Sequence, residues 1–114
     1  MDANLLLRSG SANLTATETL TYVTVGPMLK PLYLYVLLAA VNAGTVDVKL
    51  SFQTAANAEK ASLSMAQMSA AGLYAVPFYT DQPRMVVSLT LAGGANACGA
   101  SKVWIEPAGM YTGI

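Results

Sequence analysis

Residues Thr45–Gln53 read Thr-Val-Asp-Val-Lys-Leu-Ser-Phe-Gln, an unbroken alternation of apolar and polar side chains. In an extended chain, successive side chains leave on opposite faces. Val46, Val48, Leu50 and Phe52 therefore share one face, and Asp47, Lys49, Ser51 and Gln53 share the other. Wound into a helix, the same apolar residues would scatter around the circumference. The stretch is a half-buried strand with a wet outer face.

The same period recurs. Residues 84–91 place Met85, Val87, Leu89 and Leu91 on one side, and residues 102–106 turn Val103 and Ile105 inward, with Lys102, Trp104 and Glu106 outward. Residues 19–25 are rich in Thr, Tyr and Val, which favour strands. Residues 73–78 form another short candidate, and residues 1–12 an N-terminal arm or edge strand. Residues 32–38 differ, because Leu32, Leu34, Val36 and Leu38 oppose Tyr33, Tyr35 and Leu37. Apolar on both faces, this strand is either central or covered by another subunit.

One segment is ambiguous. In residues 55–71, Ala61, Met65 and Met68 fit a helix face, whereas Leu63 and Met65 fit a short strand. With no helical stretch elsewhere, the expectation is a loop plus a short strand. Gly26-Pro27, Asn42-Ala43-Gly44, Ala71-Gly72, Asp81-Gln82-Pro83 and Gly93-Gly94-Ala95-Asn96 separate the strands. The pattern predicts an all-β fold: a single jelly-roll or β-sandwich domain of about eight short antiparallel strands over residues 1–114, with a C-terminal tail at 107–114.

Composition narrows the function. Only 11% of residues are charged while 54% are hydrophobic, and mean hydropathy is +0.48. Ordinary soluble domains carry about 25% charge. Too few charges remain to cover the surface of a small domain, so part of that surface is expected to be buried against other chains. The basic residues Arg8, Lys30, Lys49, Lys60, Arg84 and Lys102 stand singly, not in the clusters that nucleic-acid binding draws on. The longest apolar run, residues 32–41, is too short for a membrane helix, which needs about 20 residues. No basic leader opens the chain, so a product made in a bacterial cytosol is expected.

Catalytic constellations are missing. Without histidine, the single cysteine, Cys98, cannot form a Cys–His pair, and it reads as a small packed hydrophobe. Asp2, Glu18, Asp47, Glu59, Asp81 and Glu106 are widely spaced and read as solvated surface carboxylates. No metal or cofactor is expected, and no enzyme activity. Candidate contact residues remain. Trp104 is either a ring packed against a neighbouring chain or a sugar-stacking platform. Met110 and Tyr111 either dock on a partner or belong to a fraying tail. Tyr33 and Tyr35 are interface or core.

Several stretches, in matching order, resemble the Bbp16-like capsid cement proteins of tailed bacteriophages. They are Met1-Asp2-Ala3-Asn4-Leu5-Leu6-Leu7 followed by Ala12-Asn13-Leu14-Thr15-Ala16-Thr17, then Pro31-Leu32-Tyr33-Leu34-Tyr35-Val36 and Val48-Lys49-Leu50-Ser51-Phe52-Gln53-Thr54. Ala71-Gly72 with Val76-Pro77, residues 84–93 and residues 99–107 complete the set. One departure is that Ala55-Ala56-Asn57 carries no acid where that family's loop is usually acidic. The resemblance implies a jelly roll, a homotrimer and a seat on the outer capsid surface, where the trimer clamps the major capsid protein. The alternative is a carbohydrate-binding β-sandwich module of a virion.

Overall fold

The computed structural model describes residues 5–10, 17–23, 32–41, 44–92 and 98–107. They form eight strands: β1 (Leu5–Arg8), β2 (Glu18–Val23), β3 (Leu32–Leu38), β4 (Thr45–Gln53), β5 (Glu59–Ser64), β6 (Gly72–Phe78), β7 (Arg84–Ala92) and β8 (Ser101–Pro107). Every pairing is antiparallel. One sheet has the order β1-β8-β3-β6 and the other β2-β7-β4-β5. Only β4 and β5 are both consecutive in the chain and paired to each other; the remaining neighbours come from distant sequence. Interleaving eight strands between two sheets in this order is the jelly-roll arrangement.

The alternation sets the core. Leu34, Val36 and Leu38 of β3 and Val103 and Ile105 of β8 face Val46, Val48, Leu50 and Phe52 of β4 and Met85, Val87 and Leu89 of β7, all buried. Each sheet thus presents its two middle strands to the other. Cys98 joins this core as a buried free thiol. The double-sided apolar strand β3 lies between β8 and β6, a central position.

Residues 55–71 resolve into a tight turn, strand β5 and a return along β4. Thr54 Oγ1 accepts bonds from the amides of Ala56 and Ala58, and Asn57 takes the left-handed conformation at φ 69°. That conformation suits Asn better than most residues. β5 then runs along β4 with mainly exposed side chains. Met68 pairs backbone to backbone with Val46 at 2.9 and 3.0 Å. Its side chain is buried and joins the core.

β5 is an edge strand held by a polar latch. Ser51 donates a hydrogen bond to Glu59 Oε1, and Lys49 Nζ lies 3.4 Å from the same oxygen. The Ser51 hydroxyl first, and then Lys49, hold the Glu59 carboxyl below its ordinary value. Carbon-detected NMR titration of Ser51→Ala is therefore expected to return Glu59 toward ordinary carboxylate behaviour. An unchanged titration would show that the hydroxyl bond is not formed in solution.

Candidate interaction surface

The two outer faces of the sandwich differ in kind. On the β2-β7-β4-β5 sheet the outward positions include Thr19, Thr21, Ser88, Thr90, Asp47, Lys49, Ser62 and Ser64, a wet surface. On the β1-β8-β3-β6 sheet they include Leu6, Lys102, Trp104, Tyr33, Tyr35, Leu37, Leu73 and Ala75. This second face is apolar for a reason visible in β3, whose off-core residues are Tyr, Tyr and Leu.

Cross-strand register brings its aromatics together. Tyr35 lies opposite Trp104, and their rings stack 5.3 Å apart at 13°. Tyr33 stacks on Tyr35 at 5.9 Å. Trp104 Nε1 donates to Glu106 Oε2 at 2.6 Å, and the Lys102 ammonium sits 5.3 Å over the indole. Trp104 is 1% exposed and Glu106 0%. Both occupy the face away from the core, as their alternation requires, yet neither is wet. The expectation of a solvated Glu106 is thus corrected: its carboxyl group is buried with a Trp N–H to serve it, as a buried polar group requires. The signal was present in Trp104-Ile105-Glu106, where the first and third side chains of a strand share a face.

Of the residues expected to make contacts, Tyr33 stays partly exposed, while Tyr35 and Trp104 are buried. Met110 and Tyr111 lie outside the described residues. The exposed apolar residues of this face are others: Leu6 at 45%, Leu37 at 38% and Leu73 at 45%. Leu37 and Leu73 are direct cross-strand partners. Among the described residues, the most exposed large ring is Tyr79, just past β6. No three His, Cys, Asp or Glu side chains among them stand close enough to hold a metal.

β1 and β2 are the edge strands on one side of the sandwich, one in each sheet, and an ion pair joins them. A bulge between Leu6 and Arg8 brings Arg8 opposite the core-facing Val103. An extra residue re-aims the side chains that follow it. Arg8 consequently reaches across to β2, with Nε 3.0 Å from Glu18 Oε1 and Nη2 2.9 Å from Oε2. Its Nη1 also donates to the Ser101 carbonyl. Hydrogen bonding from Arg8 holds the Glu18 carboxyl below its ordinary value, against a smaller opposing effect of burial.

No family model matches the sequence, and no curated protein matches it. Among solved structures, the chain is similar to the enzymatically active domain of tailspike protein 4 from bacteriophage CBA120. The TM-score is 0.53 at 12% identity, over 80% of this chain and 14% of that one. At that identity the likeness is one of fold.

Proposed function

We propose that this chain is a non-enzymatic cement, or decoration, protein of a tailed-phage capsid, which trimerises on the outer surface of the shell and clamps neighbouring major capsid proteins. The observation that carries the reading is the apolar strip of Leu6, Leu37 and Leu73 on one outer sheet face, in a chain only 11% charged. Exposed apolar surface of this kind marks a contact with another macromolecule. The ordered resemblance to cement proteins supports the capsid assignment, and the fold likeness to a phage tailspike domain supports a place in a virion.

The mechanism is burial. Each Å² of apolar surface removed from water contributes about 25 cal/mol before ordering costs. Three linked copies gain further, because one docked subunit raises the local concentration of the others. Shells assembled without the protein are expected to open at lower temperature than shells to which it has been added back. Its native mass should correspond to three chains across a dilution series. Equal heat resistance with and without the protein removes the cement role. A chain that stays monomeric in solution and on shells removes the trimer.

The carbohydrate-binding alternative has less support. It rests on an exposed Trp104 platform, and Trp104 is 1% exposed.

A further inference from the structure

The apolar face carries a groove of about 490 Å³ lined by Leu6, Ser9, Gly10, Leu37, Ala39 and Lys102, among others. We infer that this groove takes an extended apolar segment of a partner protein bearing one carboxylate, seated against the Lys102 ammonium. The inference rests on the cement reading for the source of the segment, namely the shell protein that this chain contacts.

Charge complementarity carries the argument. The ion pairs among the described residues are Arg8–Glu18 and Lys49–Glu59, so Lys102 pairs with no carboxylate among them. Its ammonium is held 5.3 Å over the Trp104 ring. A cation over an indole is favoured in that position, and its charge still attracts an anion. Gly10 abuts the Lys102 stem so closely that a Cβ there would come within 3.2 Å of Lys102 Cβ. The lysine is therefore confined, with apolar residues on either side of it.

The strip Leu6, Lys102, Leu37, Leu73 crosses all four strands of the sheet. Three inter-strand gaps make a length of roughly 14 Å, which about four extended residues would cover. The fitting sequence places an acid between two apolar side chains, all three on one face.

The described residues of a second copy offer no suitable carboxylate. Glu18 is tied to Arg8 and Glu59 to Ser51 and Lys49. Glu106 is buried beside Trp104. Asp47 lies within paired strand β4 and Asp81 in a polar turn, each bonded to a glutamine. Among the described residues, no carboxylate lies on an unpaired apolar segment.

The probe is the capped peptide Leu-Thr-Asp-Thr-Leu, titrated into the full chain and followed by methyl NMR. Shifts are expected at Leu6, Leu37 and Leu73, with about fivefold weaker binding when Asn replaces the Asp, as for a partly exposed ion pair. Lys102→Met should abolish the preference for Asp over Asn. Lys102→Glu should reverse it toward a Leu-Thr-Lys-Thr-Leu peptide, which a merely unfolded variant cannot do. No binding, binding without acid preference, or shifts confined to another face overturns the inference. So does a groove whose signals move with the protein's own concentration and are silenced by Leu37→Ser, since a second copy then fills it.

Coating of shells separates this inference from the function it rests on. Lys102→Glu protein that coats shells as tightly as wild type overturns the groove assignment and leaves the cement reading standing. Wild-type protein that ignores shells yet binds the acidic peptide overturns the cement reading and leaves the groove.

Discussion

Replacing Trp104 by alanine is expected to cost about 3–5 kcal/mol of folding stability, the range for truncating a buried large aromatic. The ring is 1% exposed and stacks on Tyr35, so its removal leaves a cavity on the aromatic face. It also strips a hydrogen bond from the buried Glu106 carboxyl group. For a domain of this size, each kcal/mol lowers the melting temperature by roughly 4 °C. Trp104→Phe keeps an aromatic ring beside Tyr35 but removes the N–H. It should cost about 1 kcal/mol, the usual value of one lost hydrogen bond. Urea titrations of the variants supply the measurement. Trp104 is the only tryptophan, so its fluorescence in the folded chain reads the same burial independently. A Trp104→Ala loss below about 1 kcal/mol, together with water-like emission, would mean an exposed ring. That result would return weight to a sugar platform.

The strands were legible because alternation survives in any strand with one wet face. Thr45–Gln53 and Leu32–Leu38 keep the bounds that the pattern implies, and β7 and β8 differ by a residue at their ends. The segment 55–71 was harder for a physical reason. An edge strand such as β5 buries little on either face, so no apolar period marks it. Partner choice was not legible either. Nothing in the residues of β1 says that they pair with β8, some hundred positions away in the chain, because backbone hydrogen bonds carry no side-chain identity.

The interaction face was half legible. Three off-core apolar residues on β3 announced a covered or contacting surface, but not which of them would be covered. Tyr33 and Tyr35 are the aromatics of the three, whereas the exposed residue is Leu37. Tyr35, opposite Trp104, is buried, whereas Leu37, between Lys102 and Leu73, is exposed. Exposure on a sheet is thus decided by cross-strand partners, which a single strand's sequence does not contain. Arg8 and Glu18 were unreadable for the same reason, since a bulge and a sheet-to-sheet gap create their encounter.

That encounter gives the second large effect. Arg8→Met is expected to cost about 2 kcal/mol, a value within the range for hydrogen bonds to charged groups. The Arg8 side chain is 9% exposed and Glu18's is 34%, so solvent weakens the pair below a fully buried one. The loss includes the bond to the Ser101 carbonyl, so Arg8→Met should exceed Glu18→Gln, which keeps that bond. The pH dependence has a fixed sign. The Glu18 carboxyl titrates below the ordinary glutamate value in the folded chain, so the folded state favours the ionised form. Its contribution is present in full above that value and is lost as pH falls through the lowered folded one. The stability gap between wild type and Glu18→Gln should therefore be constant near neutrality and close under acid, in urea titrations run from pH 7 downward. A gap that stays open in strong acid would mean that Glu18 contributes through packing. A gap absent at neutral pH would mean that the clip between the sheets does not form, leaving β1 free to separate from β2.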